Sequence, residues 1–163
     1  MYIPNHNIYE ALENGKSLLK HLIDSKMKKE ALYILKNIET IYDEKNHPFV
    51  HSLLFKCIFN NMEEVALELL KKCVNPKFGE CLLMYAIDYN IESLVLELLK
   101  RENINPNIKD DRGKTILIQA LESNMKKVAK ELLKNKEISY NEKDKDGNTA
   151  LILACKKIYN KYI

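Results

Sequence analysis

Leucine, isoleucine, valine and alanine recur in short stripes separated by lysine, glutamate and asparagine. In Ala31-Leu32-Tyr33-Ile34-Leu35-Lys36 and Ala66-Leu67-Glu68-Leu69-Leu70-Lys71 the apolar positions fall three and four apart. Val95-Leu96-Glu97-Leu98-Leu99-Lys100 and Ala129-Lys130-Glu131-Leu132-Leu133-Lys134 repeat the arrangement. That spacing is one face of a helix, with lysine and glutamate on the others. Between these segments lie shorter apolar runs such as Thr115-Ile116-Leu117-Ile118-Gln119-Ala120 and Thr149-Ala150-Leu151-Ile152-Leu153-Ala154. They predict a first, short apolar helix for each amphipathic second one.

The pattern is periodic. Gly113, Thr115, Leu117 and Ala120 recur as Gly147, Thr149, Leu151 and Ala154 at an offset of 34. The same step backwards reaches Gly79 and Ala86, and offsets of 29 and 35 reach Ser52 and Ser17. A fixed period of this size is the mark of stacked repeats, in which one unit cannot bury its stripe alone. Units are expected near 14–47, 48–76, 77–110, 111–144 and 145–163, the last with a first helix only. The chain reads as one repeat domain over residues 1–163.

Residue types at the unit starts have physical tasks. Gly15, Gly79, Gly113 and Gly147 precede a helix by two residues, where a hairpin calls for positive φ. Ser17, Ser52, Thr115 and Thr149 are placed to cap helix N–H groups, each worth about 1 kcal/mol. Asn75-Pro76 and Asn105-Pro106-Asn107 stop helices and favour turns. Ala86, Ala120 and Ala154, with Cys57 and Leu22 earlier, allow close helix approach.

These motifs resemble the ankyrin repeat, with its Gly-x-Thr-Pro-Leu-His-x-Ala start and Leu-Leu pair in the second helix. Asp146-Gly147-Asn148-Thr149-Ala150-Leu151 and Asp111-Arg112-Gly113-Lys114-Thr115 match closely, and the resemblance spans nearly the whole chain. It implies an all-α, helix-turn-helix repeat solenoid with short hairpin loops. The family's proline is replaced by Leu18, Leu53, Leu82, Ile116 and Ala150, and its histidine by Lys20, Phe55, Met84, Ile118 and Ile152. Hydrophobic contact is then expected where the histidine would tie units together.

Composition narrows the function. The 163 residues are 46% hydrophobic and 30% charged, with 26 basic and 23 acidic side chains and a net charge of +3, too balanced for bulk attraction to nucleic acid. No apolar run is long enough for membrane insertion, and the start lacks the pattern of a secretory signal. The cysteines Cys57, Cys73, Cys81 and Cys155 show no CxxC spacing and read as reduced thiols of a cytoplasmic protein. His47-Pro48-Phe49-Val50-His51 reads as a loop, because of Pro48, and not as a metal-bearing helix face. The solitary glycines form no phosphate loop, and Asp110-Asp111 reads as hairpin chemistry. No catalytic residue, metal or cofactor is assigned, and the chain is not expected to be an enzyme.

The resemblance implies a non-catalytic protein-protein interaction module that binds a partner protein on the concave face of the array. Carried position by position, that face comprises Lys56, Phe59, Tyr85, Asp88, Tyr89, Asp111, Arg112, Lys114, Gln119 and Glu122. Phe59, Tyr85 and Tyr89 stand out, because aromatics on a polar face form interface hot spots. The alternative is a regulatory or substrate-recruiting domain of a larger multidomain enzyme. The lysine rows Lys126-Lys127 and Lys134-Asn135-Lys136 read as solvated faces, with acidic polymers as the sharper possibility. At the carboxyl end, Ile158, Tyr159, Tyr162 and Ile163 either cap the last unit or meet a second copy, giving a monomer or a weak dimer.

Overall fold

The computed structural model describes residues 18–37, 47–72 and 79–162. Among them are helices α1 (Leu18–Asp24), α2 (Lys28–Lys36), α3 (His47–Phe59), α4 (Glu63–Lys71), α5 (Gly79–Asp88), α6 (Glu92–Leu99), α7 (Ile116–Glu122), α8 (Lys126–Leu132) and α9 (Ala150–Tyr162). They fall into two compact units divided between Phe78 and Gly79.

In the first unit α1 packs on α2 and α3 on α4, while α1 meets α3 and α2 meets α4. In the second, α5 pairs with α6 and α7 with α8; α5, α7 and α9 form one row, and α6 and α8 the other. Both units are therefore stacked helix pairs, the all-α repeat arrangement that the periodicity predicts. The cores are the helical stripes: Ala31, Leu35, Val65, Ala66, Leu69 and Leu70 are buried in the first, and Leu94, Val95, Leu98, Val128 and Leu132 in the second.

One turn joins the two helices of every complete pair. Lys26, Asn61, Asn90 and Asn124 sit in left-handed backbone with φ between 55° and 58°. The following residue's N–H reaches back five positions, as from Met62 to the Cys57 carbonyl, Ile91 to Ala86 and Met125 to Ala120, each at 2.8 Å. This satisfies carbonyls at the helix end, and asparagine tolerates the left-handed region better than most residues. The residue after the turn is apolar, and Met62, Ile91 and Met125 are buried. Ile118, at the family's histidine position, is fully buried, so apolar packing replaces the polar tie there.

Several local expectations change. Gly113 and Gly147 do take positive φ, at 76° and 79°. Gly79 instead opens α5 and is needed for space, since a Cβ there would lie 2.7 Å from Cδ1 of Ile104. Ser52 lies inside α3, which begins at His47. The loop expected from Pro48 is absent because proline fits a helix's first turn, where its missing N–H has no partner to lose. Thr115 and Thr149 do cap: each Oγ1 accepts the N–H three residues on, Ile118 and Ile152, at 3.3 Å. The second helices are not consistently the longer ones, α5 having 10 residues and α6 only 8. Gly15, Ser17, Cys73 and Asn75-Pro76 lie outside the described residues.

Candidate partner-binding face

The first helices and the hairpins before them carry the expected contact residues. The hairpin 110–114 is built by Asp110: its Oδ1 accepts the N–H groups of Arg112 at 2.9 Å and Lys114 at 2.7 Å. Its own N–H donates to the Lys114 carbonyl, and its carbonyl accepts from Gly113. Asp144 repeats every bond, with Oδ1 accepting from Asp146 at 3.0 Å and Asn148 at 2.7 Å. Burial pushes the Asp144 carboxyl up, but the Asn148 and Asp146 donors and the charge of Lys114 outweigh it and leave the group below its ordinary value. The tips join directly, the Lys145 N–H donating to the Arg112 carbonyl at 2.9 Å. The pattern Asp-x-x-Gly, present at Asp110 and again at Asp144, is the sequence signal for this frame.

Behind the first hairpin is a cavity of about 140 Å³ whose walls include Asp88, Arg112, Lys114, Gln119 and Glu122, five of the expected contact residues. Ser123, which continues the same row of the repeat, and Asp110 and Ile87, which lie outside the face expected from the sequence, complete it. Asp88 and Arg112 are exposed, as is Asp111 at the hairpin tip. Lys114 is not a free charge, its Nζ lying 2.8 and 2.7 Å from the two carboxylate oxygens of Glu122. Gln119 departs most from an open contact residue. It is buried, donates weakly to the Lys114 carbonyl at 3.4 Å, and leaves Oε1 without a protein partner. The cause is its position in the first turn of α7, directly beneath the hairpin.

The aromatic residues lie on the surface. Tyr85 on α5 is 44% exposed and Tyr89, just past its end, 48%. The Tyr89 N–H donates to the Tyr85 carbonyl at 2.9 Å, so the two rings leave the backbone one helical turn apart, with Asp88 between them in sequence. In the first unit Phe59, the last residue of α3, is 75% exposed, and Lys56 forms an ion pair with Asp24 of α1. Neither Phe59 nor Tyr85 is therefore packed between helices.

Other chemistry is sparse. Burial pushes the Cys57 thiol up to about 12, which keeps it protonated and unreactive, while Cys81 and Cys155 are exposed free thiols. Among the described residues no group of three or more His, Cys, Asp or Glu side chains could hold a metal ion. None of the described helices is long and apolar enough to cross a membrane.

Residues 90–162 match the family model of ankyrin repeats (3 copies). Over that stretch the chain carries ankyrin repeats. The match takes in α6 to α9 and both Asp-x-x-Gly hairpins, and the helix–turn–helix geometry of residues 18–37 and 47–72 lies outside it. No curated protein matches the chain. Ankyrin repeats are generally protein-protein interaction modules and typically non-catalytic.

Proposed function

We propose that the chain is a non-catalytic binding module that captures a partner protein through its first helices and hairpin tips. The supporting observation is the placement of Tyr85 and Tyr89, two half-exposed aromatics one turn apart on the helix whose Asp88 borders the hairpin cavity. Large rings at the rim of a polar depression are what a partner desolvates at the centre of an interface, and each costs roughly 2 kcal/mol or more when truncated. The hairpins are held by their own aspartates and by the Arg112–Lys145 bond, so this surface is ordered before binding and little entropy is lost on contact. Phe59 in the first unit is a further exposed aromatic on a first helix. The role is that of a scaffold in the cytoplasm, as a monomer or a weak dimer.

Affinity capture from the source cell tests this. Tyr85→Ala/Tyr89→Ala should lose the captured protein while its circular dichroism and melting temperature stay near those of the unaltered chain. Retention of the same partner by the double variant would overturn the assignment of this face.

A further inference from the structure

The cavity behind hairpin 110–114 holds an acceptor that the protein does not answer. Gln119 lines it at 5% exposure, and its Nε2 donates weakly to the Lys114 carbonyl at 3.4 Å. That bond sets which way the amide faces, because the reverse orientation would put Oε1 against a carbonyl oxygen. Oε1 is therefore a buried acceptor with no protein donor. A buried amide oxygen is costly to leave unbonded, and whatever relieves it must carry an N–H or O–H.

The other walls decide which kind of donor. Asp110 Oδ1 is taken up by the N–H groups of Arg112 and Lys114, and Lys114 Nζ by the two carboxylate oxygens of Glu122. Two charges remain, since among the described residues the side chains of Asp88 and Arg112 have no hydrogen bond or ion pair, and both residues are exposed. Arg112 by itself favours an anion, but an ionised carboxylate has no proton to offer Oε1. A cationic donor serves Oε1 and Asp88 together. Tyr85, Asp88 and Tyr89 follow the i, i+3, i+4 spacing of one helix face, which sets two aromatic rings beside that carboxylate. Guanidinium suits such surroundings better than ammonium, because its donors lie in one plane, can serve a carboxylate and an amide oxygen at the same time, and stack on aromatic rings.

We infer that this cavity receives an arginine side chain of the partner protein, paired by Asp88 and donating to Gln119 Oε1. The inference rests on the tyrosine face being the contact surface and names the chemistry that this face takes.

The probe is N-acetyl-arginine amide, titrated into the ¹⁵N-labelled full chain and followed at the backbone amides of Asp88, Lys114 and Glu122 and at the Gln119 side-chain amide. Shifts should concentrate at these groups and weaken with added salt. N-acetyl-citrulline amide keeps the shape without the charge and should bind at least about threefold more weakly, as should the arginine probe to Asp88→Asn. Gln119→Met removes the acceptor and should weaken the arginine probe by a similar factor, while the melting temperature holds or rises because no orphan oxygen is left buried. Equal binding of the citrulline probe, or unchanged binding by Gln119→Met, the mark of an acceptor served by water alone, would overturn the inference. So would tighter binding of N-acetyl-glutamate amide through Arg112, or no shifts at high millimolar arginine probe. The titration needs no partner protein, so the two readings fail separately. Tyrosine-dependent capture without arginine binding would sink the arginine site and leave the face standing; arginine binding without such capture would sink the face.

Discussion

Asn107 Oδ1 accepts the backbone N–H of Ser139 at 2.8 Å, and its Nδ2 donates to the Glu137 carbonyl at 2.9 Å. One side-chain amide thus bridges the loop after α6 to the loop after α8, doing between loops what a strand does in a ladder. Asn107→Ala removes both bonds and should cost about 0.5–1.5 kcal/mol, because water can reach the exposed Glu137 carbonyl, read as a lower urea midpoint. Asn105 only accepts the nearby N–H of Asn107, so Asn105→Ala should cost less than Asn107→Ala.

The paired leucines of α8 and its end are not equivalent. Leu132 is buried at 2% exposure, whereas Leu133 is 59% exposed. Leu132→Ala opens a cavity in the stack and should cost roughly 2–5 kcal/mol, while Leu133→Ala should stay within about 0.5 kcal/mol of the unaltered chain. Chemical denaturation of the two variants side by side checks this.

The repeat period, the helix pairs and the Asp-x-x-Gly hairpins were legible in the sequence because each rests on local spacing. Gln119 shows where that legibility stops. Its position in the repeat marked it as a contact residue, but its burial depends on how the hairpin 110–114 folds over α7. Asn107 was read only as a turn former, because its partners lie 30 and 32 residues away and no local pattern announces them. Pro48 misled in the opposite direction, since a proline that ends one helix can equally begin the next.

Gly79 is fixed by space and not by backbone angle. Gly79→Ala drives a methyl into Ile104, which is itself buried, and should cost about 1–3 kcal/mol. If that contact is the cause, the double variant Gly79→Ala/Ile104→Val should lose less than the two single losses added together, measured as a double-mutant cycle.

Asp144 ties stability to acid pH. A carboxyl whose pKa falls on folding contributes fully above the ordinary aspartate range, and that contribution is lost as pH drops through the lowered folded value. Asp144→Asn should therefore be less stable than the unaltered chain at neutral pH, and the difference should shrink toward the acid limit. Melting temperatures taken from neutral pH downward would show the two curves converging.

The claim that the tyrosine face meets a partner is tested most directly by site-specific photocrosslinking. A benzophenone side chain placed at position 89, and separately at position 133 on exposed Leu133, is activated in the source cell. The account requires a discrete crosslinked partner from position 89 and none from position 133. A partner trapped from position 133 and not from position 89 would contradict it.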